Sequence, residues 1–63
     1  MRLTLLLDAD GRTLFDGALP VDNEHFVFLE VPRGDEWEVV RFARRPSFDR
    51  DGRFAYMETL PGD

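Results

Sequence analysis

The chain has 63 residues, no cysteine and one histidine, and its 13 acidic and eight basic residues give a formal net charge of −5. This length fits one small domain, residues 1–63, and a domain of this size buries only about 60% of its unfolded surface on folding. The composition excludes disulfides, thiolate metal sites and imidazole-rich sites. We therefore expect a partner chain to supply additional stability.

Five apolar segments, separated by polar or Gly/Pro-containing sequence, predict an all-β fold. The predicted strands cover residues 2–7, 12–19, 25–31, 36–45 and 52–60. We expect them to form a small five-stranded antiparallel meander or barrel. Its turns are expected near residues 8–11, 32–35 and 46–52.

A five-residue phrase occurs twice, as DADGR at residues 8–12 and as DRDGR at residues 49–53. An aspartate at the first position and a glycine at the fourth favour a type I turn. The aspartate accepts backbone N–H bonds, and the glycine adopts a positive φ. We interpret the first copy as a hairpin turn and the second as the turn that closes an arginine-rich loop.

The third predicted strand is apolar on both of its faces. One face carries Phe26 and Phe28, and the other carries Val27, Leu29 and Val31. A strand that is apolar on both faces is central to its sheet or lies in an interface. The pattern therefore marks this segment as a candidate contact with another chain.

The fourth segment, residues 36–45, has features of both a helix and a strand. Asp35 and Glu38 form a capping-box pattern, and Pro46 would end a helix, which leaves an α+β fold as the alternative. Several side chains suit a pleated surface instead, namely Trp37, Val39, Val40 and Phe42. A Pro-x-Gly turn before the segment adds a hairpin signal, so we favour the strand. We expect Trp37 to be a large core residue.

Residues 47–58 resemble the calcium-binding loop of the EF-hand family. The matching positions are the third, fifth, sixth and twelfth, occupied by Asp49, Asp51, Gly52 and Glu58. Ser47 stands where the family has its first aspartate, and Pro61 leaves no room for an exiting helix. The resemblance implies Ser47, Asp49, Asp51 and Glu58 as candidate calcium ligands. The departures favour a turn, and we expect no cofactor.

The charge is uneven along the chain. Residues 1–40 carry nine acids and three arginines, whereas residues 41–57 carry five arginines and two aspartates. Arginine and aromatic side chains are common anchors of protein interfaces. The predicted partner-binding residues are therefore Phe26 and Phe28 in the third strand, and Arg44, Arg45, Phe48, Arg50 and Arg53 in or beside the loop.

These observations predict a non-enzymatic protein-interaction or assembly module. It would act as a homo-oligomer or as a small accessory subunit of a larger macromolecular assembly, such as a viral particle. The chain is too short to enclose a pocket of about 300 Å³, the usual minimum for a small-molecule site. It also has no run of about 20 apolar residues that could span a membrane, so we expect a soluble, cytoplasmic protein.

Two other functions stay open at this point. Arginines interleaved with aromatic residues at 41–56 could bind single-stranded nucleic acid by stacking and charge. The low sequence pI of about 4.6 argues against this, because nucleic-acid-binding domains are usually basic. The acidic first 40 residues could instead act as an inhibitor that mimics nucleic acid.

Overall fold

The computed structural model of the protein describes residues 1–59, which form five β-strands and one short 3-10 helix. The strands are β1 (Arg2–Leu7), β2 (Thr13–Leu19), β3 (Phe26–Arg33), β4 (Glu36–Arg44) and β5 (Phe54–Glu58), and the helix is Pro46–Phe48. The all-β prediction is confirmed. The predicted end of the fifth strand at residue 60 and the tail at 61–63 lie outside the described residues.

The helical alternative for residues 36–45 is wrong, because this segment is β4. The preceding turn determines the outcome. Arg33 pairs directly with Glu36, so that Gly34 and Asp35 form a two-residue hairpin turn. A turn this tight holds the next segment against β3, and Asp35 is then part of the turn rather than a helix cap.

The five strands form one sheet in the order β2-β1-β5-β4-β3, curled into a half-barrel. This order differs from the predicted meander. β5 lies between two hairpins and runs antiparallel to β4 but parallel to β1. β5 is buried on both faces, as suits a strand at the centre of a sheet, because Ala55 and Tyr56 are fully buried on opposite faces. β2 and β3 are left as the two edges of the sheet.

The larger core lies on the concave face of the sheet. Its buried members come from four strands and are Leu6, Val27, Val40, Phe42 and Tyr56. A smaller cluster on the convex face contains Leu5, Leu7 and Ala55, with Met57 packed against it. The apolar side chains of β1 therefore point to both faces, as expected for a strand next to the centre of the sheet.

Both copies of the repeated phrase form turns, but the two turns differ. In the first copy the Asp8 carbonyl accepts a bond of 3.0 Å from the Gly11 N–H, and the Asp8 carboxylate accepts bonds of 2.9 Å from the Asp10 and Arg12 N–H groups. Gly11 has a φ of 87°. The predicted turn with aspartate first and glycine fourth is confirmed there.

The second copy turns one residue later than predicted. Arg50 and Arg53 pair through two backbone bonds of 3.3 and 2.8 Å, which leaves only Asp51 and Gly52 between them. These two residues have positive φ values of 52° and 77°. Two successive positive φ values are typical of a type I′ hairpin turn, which accepts the Asp-Gly pair readily. Asp49 is thereby freed for a different contact.

No helix within residues 1–59 has the length and apolar character needed to cross a membrane.

Candidate interaction surface

The β3–β4 hairpin presents its second face away from the concave core. Strand pairing puts Val27 opposite Phe42 and Leu29 opposite Val40 on the core side. The alternate residues lie on the convex side, where Phe28 is opposite Arg41 and Glu30 is opposite Val39. We call this surface the hairpin face, and its defining residues are Phe26, Phe28, Trp37, Val39 and Arg41.

Three large apolar side chains of the hairpin face are in contact with solvent. Trp37 is 69% exposed, and Phe28 and Val39 are each 64% exposed. The prediction that Trp37 lies in the core is wrong, because it shares a face with Val39 rather than with Val40 and Phe42. Single exposed apolar residues are common on proteins, but three on one face of one hairpin require an explanation.

β3 is an edge strand, although both of its faces are apolar. Of the two predicted explanations, a central position in the sheet is therefore wrong. Phe28 remains exposed because no other element within residues 1–59 covers this part of the convex face. The other predicted explanation, a contact with another chain on the Phe28 side of the strand, stays a prediction.

Polar groups border the apolar part of the hairpin face. The Arg41 guanidinium stacks over the Phe26 ring with its carbon 4.9 Å from the ring centroid, and its Nε donates to Thr59 Oγ1 at 3.3 Å. Glu30, which is exposed, lies between Phe28 and Pro32 on β3. An apolar centre with a polar border and an arginine is the usual composition of a protein interface.

The arginine-rich loop has a different character, because its first arginine is part of the fold. Arg44 donates to both carboxylate oxygens of Asp49 at 2.5 and 2.6 Å and to the Ala55 carbonyl at 3.0 Å. Its guanidinium also stacks over Phe54 and Tyr56, at 4.3 and 5.5 Å from the ring centroids. Hydrogen bonding to Asp49 raises the pKa of Arg44.

Asp49 joins three parts of the chain through one carboxylate. Besides the two bonds from Arg44, its Oδ1 accepts the backbone N–H of Ala55 at 2.7 Å. The hydrogen bond from Arg44 is the main reason that the pKa of Asp49 lies below its ordinary value. The loop that follows the 3-10 helix is thus tied to the end of β4 and to β5.

The other predicted loop residues lie nearby but do not form one surface. Arg53 donates to Asp16 of β2 at 2.7 Å and to the Asp51 carbonyl at 3.1 Å. Arg45, Phe48 and Arg50 are exposed, and the Phe48 ring lies beside the turn at residues 8–11. The predicted partner-binding residues therefore divide between the hairpin face and this loop.

The four candidate calcium ligands are not brought together. The Asp49 carboxylate is occupied by Arg44 and Ala55, while Glu58 lies in β5 and forms an ion pair with Arg33. Within residues 1–59 no three or more His, Cys, Asp or Glu side chains form a group that could hold a metal ion. The arrangement of residues 47–58 is that of a loop and a hairpin.

A cleft of about 240 Å³ lies beside the first half of β3. Its walls are residues 20–23, in the connection from β2, and residues 26–28. This volume is below the roughly 300 Å³ at which small-molecule sites begin. The connection from β2 and the first half of β3 therefore face each other across this cleft.

Comparison with known proteins finds no matching family model, no matching curated protein and no matching solved structure. The function is therefore inferred from the surface of this chain alone. Sequence reasoning identified Phe28 but not Trp37 or Val39. The available signal was the alternation along β4, where Trp37, Val39 and Arg41 share one face, but the alternation does not tell which face is buried.

Proposed function

We propose that the protein is a non-enzymatic interaction module that binds another protein chain through the hairpin face. The observation that carries this proposal is the exposure of Phe28, Trp37 and Val39 on one side of one hairpin. Full burial of a large apolar side chain contributes about 1.5–3 kcal/mol. A partner that covered all three would gain a substantial part of the energy of a specific complex.

The composition of the face supports the same proposal. Tryptophan, phenylalanine and arginine are the residue types that dominate binding energy at protein interfaces. Here Trp37 and Phe28 are held on paired strands rather than on loops, so little conformational entropy is lost when they are covered. Arg41, stacked on Phe26, keeps its aliphatic part on the apolar surface and its charge at the border.

Nucleic-acid binding through residues 41–56 has less support. Arg44 and Arg53 form ion pairs with Asp49 and Asp16 at 2.5 and 2.7 Å, which cancels much of the positive charge of this segment. Binding to phosphates depends on uncompensated positive charge. Phe54 and Tyr56, which would have to stack on bases, are half-buried and buried on the concave side.

The proposal can be tested by affinity capture of the tagged protein from its natural host. A Phe28→Glu/Trp37→Glu variant should lose the co-purifying chain, because two carboxylates would be desolvated in the interface. The matched control is Arg45→Glu/Arg50→Glu, which changes two exposed residues of the loop. Circular dichroism should show that both variants stay folded.

The two variants separate the hairpin face from the loop. Loss of capture in the hairpin variant alone supports the proposed function. Loss in the loop variant alone would move the contact to the arginine-rich loop, and capture that neither variant changes would contradict both locations. A salt-dependent mobility shift with single-stranded oligonucleotides, abolished in the loop variant, would favour nucleic-acid binding instead.

A further inference from the structure

The edge of β3 differs from the other edge of the sheet in being open to a further strand. β2 is protected by features that natural proteins use to block edge pairing. Its pairing with β1 contains an irregularity at Leu6/Leu7, and its Asp16 forms an ion pair with Arg53. On β3 the convex side carries Phe26 and Phe28, and only Glu30 and Pro32 interrupt the apolar surface.

The hairpin register identifies which backbone groups point off the edge of β3. In a two-residue hairpin the residues that flank the turn form a hydrogen-bonded pair, here Arg33 with Glu36. Hydrogen-bonded pairs then recur at every second residue of the strand. The bond of 3.0 Å from the Arg44 N–H to the His25 carbonyl agrees with this alternation. The polar groups of Phe26, Phe28 and Glu30 therefore point outward.

Pro32 occupies another outward position of the same edge. Because proline has no N–H, it is tolerated in a sheet where that group would face away from the neighbouring strand. Its place here removes no bond to β4. It also limits strand addition to the part of the edge between Phe26 and Glu30.

We propose that the occupant of this edge is a second copy of the chain, paired antiparallel through β3 with Phe28 on the two-fold axis. This inference rests on the proposed interaction function and names its partner. The two half-barrels would become one continuous ten-stranded sheet. Three residue pairs would each exchange two backbone hydrogen bonds. These six bonds would satisfy the outward N–H and C=O groups of Phe26, Phe28 and Glu30 in both copies.

The register centred on Phe28 is self-complementary. Phe28 lies opposite Phe28 of the second copy, and such aromatic cross-strand pairs stabilise sheets. On the core side Val27 lies opposite the second copy's Leu29, which joins two apolar positions. Pro32 stays outside the three pairs that exchange bonds. The next register toward the turn would place Pro32 opposite Phe26, where the missing N–H removes one donor at each end.

Charge is complementary in the same register. Glu30 of the second copy lies opposite Phe26, the ring on which the Arg41 guanidinium stacks. Glu30 of each copy therefore approaches Arg41 of the other copy, and the two-fold axis makes this contact occur twice. A partner strand of unrelated sequence has no reason to reproduce both the aromatic pair and the two charge pairs, and this favours a second copy.

The first test is the mass of the purified protein in solution, compared between edge variants. Light scattering should give twice the 7.3 kDa chain at micromolar concentration. Glu30→Pro removes an outward N–H without loss of a β4 bond and should raise the dimer Kd by tenfold or more. Its matched control, Glu30→Ala, keeps the N–H and should have a smaller effect. A Glu30→Pro protein that dimerises as tightly as Glu30→Ala would overturn edge pairing.

The second test uses the absence of cysteine, which makes a single introduced thiol unambiguous. Directly opposed Cα atoms of a hydrogen-bonded pair lie about 5.5 Å apart, within the range of about 4.4–6.8 Å that a disulfide spans. Phe28→Cys should therefore form a covalent dimer on oxidation. Trp37→Cys, similarly exposed on the same face but away from the axis, should form no covalent dimer.

These experiments separate this inference from the proposed function. A covalent dimer from Trp37→Cys and none from Phe28→Cys would mean stacked faces instead of paired edges and would overturn the inference. A wild-type protein that is monomeric at about 100 micromolar would also overturn it. In that case capture of a different chain, lost in the Phe28→Glu/Trp37→Glu variant, would still support the proposed function.

Discussion

At the scale of single residues, the Asp49 carboxylate links the end of β4, the loop and β5. It accepts two bonds from Arg44 and one from the Ala55 N–H. The bonds are charge-assisted, and Arg–carboxylate pairs with two parallel bonds are the strongest of this kind. The aspartate that the sequence places at the start of a turn therefore has a structural role outside that turn.

Asp49→Asn should lower the free energy of unfolding at neutral pH by about 1–3 kcal/mol, because the charge-assisted bonds are lost. Urea unfolding followed by circular dichroism measures this. The control is Asp51→Asn, which removes a carboxylate but keeps a residue that tolerates positive φ, and its stability should match wild type. Equal losses in both variants would refute the role of Asp49.

The same contact predicts a pH dependence. The pKa of Asp49 is lowered on folding by the bond from Arg44, so the folded state favours the anion. The contribution of the Asp49 carboxylate to the free energy of unfolding is fully present above the unfolded pKa of about 3.9. It is lost as the pH falls through the lower pKa of the folded state. The stability difference between wild type and Asp49→Asn should therefore shrink below about pH 4. A difference that stayed constant down to pH 2 would contradict this linkage.

Two aromatic residues of β4 differ in how far they are buried. Phe42 is fully buried, whereas Trp37 is 69% exposed. Phe42→Ala should lower the free energy of unfolding by about 3–5 kcal/mol and leave a domain of this size barely folded. Trp37→Ser should change the free energy of unfolding of the monomer by less than about 0.5 kcal/mol. Urea titrations at low concentration, where self-association is minimal, would show this contrast. A large loss in Trp37→Ser would place Trp37 in the core after all.

At the scale of elements, the second repeated turn depends on the residues at its centre. Asp51 and Gly52 both have positive φ values, and a Cβ at Gly52 would meet no neighbouring atom within 4 Å. Gly52→Ala should therefore destabilise by about 1–2 kcal/mol through the backbone alone. Thermal unfolding measures this loss. A Gly52→Asn variant should recover part of it, since asparagine tolerates this conformation, and no recovery would indicate a steric cause.

Much of the element scale was predictable from local sequence. β1 has the predicted bounds, and the helical alternative at residues 36–45 failed because the Gly34–Asp35 turn pairs Arg33 with Glu36. Turn chemistry and alternation act between near neighbours in the chain, so they can be read from the sequence. The turn of the second phrase was predicted one residue too early, because Asp51 and Gly52 take the central positions of a type I′ turn and Asp49 bonds to Arg44 and the Ala55 N–H instead.

At the scale of the whole molecule, β5 connects the two hairpins. It bonds to β1 on one side and to β4 on the other, and no other strand within residues 1–59 pairs across this gap. An isolated two-stranded hairpin is marginal in water. The stability of both hairpins thus depends on β5, which is synthesised after both of them.

A chain that ends at residue 53 should therefore be unfolded. Circular dichroism and the dispersion of amide NMR signals would report this, since each remaining hairpin would lack its central neighbour. Adding a peptide of residues 54–63 should restore the folded spectrum, whereas a scrambled peptide of the same composition should not. A folded chain 1–53 would show that the hairpins are stable without β5.

The sequence by itself determined that the chain is all-β, that it has five strands in approximately these positions, and that β3 has two apolar faces. These properties depend on side-chain alternation and turn residues within a few positions. Tertiary structure decided that β5 enters the centre, that β3 is an edge and that Phe28, Trp37 and Val39 lie outside. Such outcomes depend on pairing between distant strands, and a face becomes core only when another element covers it.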